Sequence, residues 1–249
     1  MKVKPISILK SIWFFVISSA IIYSGLYYGI PFLQSNGIPV FFAYLIVFHI
    51  PLFLLIITAL IFYRIEGHPM NLQAFKERIW LSKMDKKDWL WTAGLFTLGI
   101  SAYLLLAPAG KSLAQIGFLA PPDFFPAEIN PTKIPRDGYI MDYKLSGQYW
   151  IAIIYFIAVV TNVLGEEFLF RGMILRRQIV KYGNRAWLYH GVIWTLWHFF
   201  WKWNLISILP FGLALSYTVY KKQNVLTGII VHGLMNMLPL VLIIIEILK

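Results

Sequence analysis

The chain has 249 residues, of which 59% are hydrophobic and only 13% charged, and its mean hydropathy is +0.69. A soluble domain carries about 25% charged residues, so the composition excludes a water-soluble enzyme with one anchor and points to an integral membrane protein. A net charge of +11 would suggest nucleic acid in a soluble chain, and the absence of cysteine excludes disulfides, thiol catalysis and cysteine-ligated metal.

Seven apolar stretches approach the ~20 residues that a helix needs to span a bilayer. They lie at about 11–33, 38–63, 88–108, 148–170, 186–203, 205–220 and 225–248. The first follows Lys2, Lys4 and Lys10 and so resembles a signal peptide. Its apolar run exceeds the roughly 7–15 residues of a signal core, and a retained span is expected. After the second stretch, Leu72, Phe75, Ile79 and Trp80 recur at helical spacing among Lys76, Glu77, Arg78 and Lys83. That pattern predicts a short helix in the cytoplasmic interface.

The segment 109–147 contains Pro121, Pro122, Pro126, Pro131 and Pro135, which predicts an irregular external loop, either a linker or a flap over an opening. The fourth span is expected to continue as helix to about residue 181, where Tyr182, Gly183 and Asn184 supply a turn. No internal repeat is visible. The expected fold is all-α: one polytopic domain over 1–249, a multi-pass transmembrane helical bundle of about seven spans plus the interfacial helix.

With the N-terminus in the cytoplasm, 16 of the 22 lysines and arginines fall on the cytoplasmic side. This bias is the positive-inside pattern. The net charge then reads as an orientation signal with a mild attraction to anionic lipid, and no nucleic-acid partner is needed to explain it. A cell-membrane protein with a cytoplasmic N-terminus is expected, in contact with the lipid bilayer.

Three polar clusters interrupt the apolar runs: Glu166 and Glu167 with Arg171, His198 in "WTLWHFF", and His232 with Asn236 in "VHGLMNM". An ionisable group at mid-membrane costs about 2.5–3.5 kcal/mol on insertion scales, which makes each a functional candidate. Glu167 and Arg171 are four apart, the spacing of an ion pair on one helix face. The fourth and fifth spans should run antiparallel about the turn at Gly183. Glu166, 17 residues before that turn, and His198, 15 after it, then lie at nearly the same depth, about 3 Å apart along the axis.

His232 and Asn236 are one turn apart on a single helix face, so both can point at the same cavity. Trp194 and Trp201, at i−4 and i+3, are expected to wall His198. Each cluster also has a structural alternative: an ion pair, a core histidine on a carbonyl, or interhelical hydrogen bonding. His49, alone in its span, His68 and His190 are read as structural.

Taken in order, "EEFLFR", "WTLWH" and "HGLMN" resemble the three motifs of the CAAX-protease and bacteriocin-processing family, which includes the type II CAAX prenyl endopeptidases. The resemblance covers about 148–246, and Trp194 stands where the family usually has phenylalanine. It implies an intramembrane glutamate-dependent endopeptidase acting on a membrane-anchored peptide or protein. Glu166 and His198 would activate water, His232 and Asn236 would stabilise the oxyanion, and Glu167 with Arg171 would support the site. Buried carboxylates and paired hydrogen-bond donors suit those tasks on general grounds.

No cofactor is expected. Zinc held by two His and Glu is the metal alternative, although HExxH is absent. No Gly-x-Ser-x-Gly elbow and no pair of aspartates in facing spans occurs. The non-enzymatic alternative is a membrane scaffold or bacteriocin self-immunity protein that binds a partner.

Overall fold

A computed structural model describes residues 3–249; Lys2, counted above among the cytoplasmic positives, lies outside them. The fold is an all-α bundle. Its helices are α1 (Ile8–Ser35), α2 (Val40–Ile65), α3 (Leu72–Ile79), α4 (Lys86–Leu113), α5 (Tyr149–Glu166), α6 (Arg176–Tyr182), α7 (Ala186–Trp197), α8 (Leu205–Lys222) and α9 (Val225–Leu248). A π-helical segment, Glu167–Leu175, joins α5 to α6, so one rod runs to Tyr182 and Gly183 turns the chain at φ +56°. Extension and turn both fall where the sequence placed them.

Five stretches are long and apolar enough to cross a membrane: α1, α2, α4, α9 and the run from Tyr149 to Lys222. The predicted fourth, fifth and sixth spans are therefore one helical run of 74 residues with internal bends. Its second bend is a 3₁₀ segment, His198–Asn204, in which Trp201 leaves helical geometry at φ −115°, ψ 55°. Twelve-residue α7 covers only about 18 Å by itself, short of a ~30 Å hydrocarbon core.

The apolar pattern is turned outward. On α1, Leu9, Trp13, Ile17 and Ile21 form an exposed stripe at four-residue spacing, while Ser11 is completely buried. Such a surface would aggregate in water and suits lipid. Inside, α8 packs on α7 and α4, and α5 packs on α2 and α9. The α2–α5 approach is close because residue 165 is glycine: a Cβ there would sit 2.5 Å from the Leu52 carbonyl oxygen.

Helix α3 forms where expected, capped by the Asn71 side chain on the Ala74 amide. Trp80 is not part of it but ends it in left-handed geometry at φ +60°. The segment after α4 is docked rather than a free linker. Phe125 is buried against Tyr27, Trp201 and Trp203, and Lys202 donates to the Phe118 carbonyl. A two-residue antiparallel hairpin, β1 (Tyr139–Ile140) with β2 (Tyr143–Lys144), presents Asp142. Its carboxylate caps α2 by accepting from the Val40 and Phe41 amides at 2.7 and 3.0 Å.

Candidate active site

Glu166 is the last residue of α5 and Glu167 the first of the π-helical segment. Such i→i+5 turns are rare, are mostly single-turn bulges and are frequent at functional sites; this one extends over nine residues. Both glutamates and Arg171 are buried. Glu167 Oε1 accepts from Arg171 Nη1 at 3.0 Å, the ion pair that the four-residue spacing predicts.

The same oxygen accepts from His232 Nδ1 of α9 at 2.9 Å, a link across 65 positions that spacing could not show. Glycine at 228 makes room for it, since a Cβ there would lie 2.6 Å from Glu167 Oε2.

Glu166 is held from α7. Its Oε2 accepts from the Trp194 indole N–H at 2.9 Å. Trp194 is the hub of the cluster: its ring meets His198 edge-on at 4.5 Å and His232 at 5.6 Å, and the Arg171 guanidinium lies over it at 4.2 Å. A phenylalanine there would fill the space but could not donate to the carboxylate.

His198 caps α7 at its C-terminus. Its Nδ1–H donates to the Trp194 carbonyl at 3.0 Å, which leaves Nε2 with a lone pair. The expected Trp201 wall is not formed, because the helix ends at Trp197 and the helical i+3 spacing no longer applies. Trp197 and Phe200 flank His198 at 4.7 and 5.5 Å, while Trp201 packs on Phe125 and Trp203.

Asn236 lies one turn beyond His232 on α9. Its carbonyl accepts from the Tyr155 hydroxyl at 2.9 Å, and among the described residues its side-chain amide has no hydrogen-bond partner. That amide is free to donate to a ligand.

The remaining histidines separate. His68 bonds Glu66 at 3.2 Å, and buried His190 donates to Gln178 at 2.8 Å. His49 is less isolated than expected: it lies beside Asn162, one turn before Glu166. Neither His49 Nδ1 nor Asn162 Oδ1 has a hydrogen-bond partner among the described residues.

Asn162 went unassigned in the sequence, and its i−4 spacing from Glu166 was the available signal. The His2Glu zinc alternative does not fit this arrangement. Among the described residues no three His, Asp or Glu side chains converge as ligands, and the shared Glu167 oxygen already holds a guanidinium.

Two buried carboxylates and the His198 and His232 imidazoles thus converge through Trp194 and Arg171 from α5, α7 and α9, with Asn236 one turn beyond His232, within the apolar stretches of a polytopic membrane protein. Residues 148–238 match the family model described as "Type II CAAX prenyl endopeptidase Rce1-like". All six residues singled out in the motifs lie inside that segment, and the match supports membership of the CAAX-protease and bacteriocin-processing family. No curated protein and no solved structure matches the chain.

Proposed function

We propose that the protein is an intramembrane glutamate-dependent endopeptidase that cleaves a membrane-associated peptide or protein near the bilayer. The observation that carries this reading is the junction at Trp194. One side chain bonds Glu166 and meets both His198 and His232 edge-to-face, so a base, its orienting imidazole and a donor group share one water-poor cluster.

In this mechanism a water lies between Glu166 and His198 Nε2. Glu166 takes its proton, and the hydroxide adds to the scissile carbonyl carbon. The Asn236 amide and His232 Nε2 donate to the developing oxyanion, a contribution of about 2.7–4 kcal/mol per donor in a known case. His232 already donates Nδ1–H to Glu167, so Nε2 can donate only when the ring carries both protons. The Glu167 carboxylate, which Arg171 holds in place, supplies the negative charge beside that cation. As the tetrahedral adduct collapses, the C–N bond breaks and Glu166 returns its proton to the leaving amine.

The protein sits in the cell membrane with its N-terminus in the cytoplasm in this reading. Glu166→Gln tests it. The variant keeps the acceptor for Trp194 but cannot take a proton, so turnover should fall by about 10²–10⁴-fold while the melting temperature holds. Comparative peptidomics of membranes carrying each form reads out the products. Near wild-type turnover in the variant would remove Glu166 as the base. Identical peptide profiles in both membranes, with normal protein abundance, would favour the partner-binding scaffold.

A further inference from the structure

We propose that Arg78, on α3 and outside the family-matched segment, is a positioning residue that holds the π-helical segment in the register that aims Glu166 and Glu167. The positioning role rests on the catalytic reading above; the clamp itself does not.

Arg78 is completely buried and all three of its nitrogens are engaged. Nε and Nη2 donate to the two Glu66 carboxylate oxygens at 2.6 and 2.8 Å, and Nη1 donates to the Gly172 carbonyl at 2.9 Å. Gly172 sits in the middle of the π-helical segment. The next residue of α3 presses on the same point, for a Cβ on Gly172 would lie 2.8 Å from the Ile79 Cβ. One turn further on, Arg176 reaches back: its Nη1 donates to the Glu77 and Arg78 carbonyls, and its guanidinium covers the Trp80 ring at 4.3 Å.

The same strap grips the other half of the site. The Trp80 carbonyl accepts from the Val225 backbone amide at 2.8 Å, and Asn224 Nδ2 donates to the Ser82 carbonyl at 3.1 Å. These contacts hold the start of α9, two turns before His232. Residues 66–82 therefore touch both segments that meet in the Glu167–His232 bond.

A nine-residue π segment competes with ordinary α-helix. A slip of one residue would rotate one side of the segment by about 100° relative to the other and carry Glu167 away from α9. A bidentately anchored guanidinium aimed at one carbonyl of that segment selects against the slip. Lysine in its place could still pair with Glu66, but it is a point charge without the planar fork.

The test compares wild type with Arg78→Lys in purified, lipid-embedded protein by melting temperature and by hydrogen exchange with mass spectrometry. The expected result is a folded variant in which peptides covering 167–175 and 225–232 exchange at least tenfold faster, with α1 peptides unchanged. On a cleaved peptide, kcat should fall while KM holds. Unchanged exchange over 167–175 in folded Arg78→Lys overturns the proposal, even if Glu166→Gln is inactive and the protease reading stands. Faster exchange in a protein that cleaves nothing supports the clamp and removes the protease reading. Should Arg78→Lys not accumulate, Glu66→Gln gives the same reading: faster exchange supports the clamp, and unchanged exchange overturns it.

Discussion

Two completely buried arginines, Arg78 and Arg171, are each paired with a glutamate, and the two pairs are finished differently. At the end of the bundle, Arg78 has a partner for every nitrogen and holds Glu66 with two bonds. In the middle of the bundle, Arg171 bonds Glu167 through Nη1 alone, and Arg171 Nε and Nη2 and Glu167 Oε2 have no hydrogen-bond partner among the described residues. An unsatisfied buried polar group costs about 1–3 kcal/mol. A protein built only for stability would complete the inner pair as it completes the outer one. The difference separates a pair that fastens helices from a pair left with unpaired donors and an unpaired acceptor beside Glu166 and His232.

The largest effect expected from breaking this contrast comes from Glu167→Gln. It strands Arg171 as an uncompensated buried charge, at a cost of about 3–5 kcal/mol, and removes the negative charge that faces His232. Melting temperature and turnover should therefore fall together, whereas Glu166→Gln lowers turnover alone. Adding Arg171→Met to Glu167→Gln should restore melting temperature without restoring activity, because only the charge imbalance is repaired. Recovery of turnover in the double variant would show that the inner pair is merely structural.

A smaller effect is expected from Gly228→Ala. The new methyl would lie 2.6 Å from Glu167 Oε2, a carboxylate that Arg171 and His232 hold in place. Overpacking of this kind costs about 1–3 kcal/mol. The variant should fold, melt slightly earlier and lose most of its turnover; full activity would mean that the Glu167–His232 contact is dispensable.

The smallest effect concerns the outer pair and pH. Burial pushes the Glu66 carboxyl up, but the Arg78 hydrogen bonds and the charges of Arg78, Arg177 and His68 outweigh it and hold the group below its ordinary value of 4.5. A carboxyl with a lowered folded value stabilises fully above 4.5 and loses that contribution as pH falls through the lower folded value. Thermal melts should show no slope from Glu66 between neutrality and 4.5 and a decline on further acidification. Glu66→Gln should remove that part of the acid decline.

Much of the architecture was legible because its causes are local. Hydropathy over some twenty residues marks the apolar rods, and Gly183 marks the turn that closes the longest one. The Glu167–Arg171 pair follows from four-residue spacing, and the amphipathic run from Leu72 marks α3. The matched motifs also placed Glu166, His198, His232 and Asn236 on three helices that the fold brings side by side.

What escaped depends on contacts between distant parts of the chain. The break at Trp201 has no proline or glycine to announce it; the residue packs between Phe125 and Trp203 instead. That break removes Trp201 from the wall of His198 and interrupts the helical run between α7 and α8. No short-range pattern distinguishes a π-helical Glu167–Leu175 from an α-helical one, because the two differ by one residue in register. The selection falls to partners elsewhere: Arg78 and Ile79 at Gly172, and His232 at Glu167. The sequence alone determined which segments are apolar enough to cross a membrane and which ionisable residues go with them. Only the tertiary structure decided which of those residues bond one another, since a hydrogen bond across 65 or 94 positions depends on how helices pack.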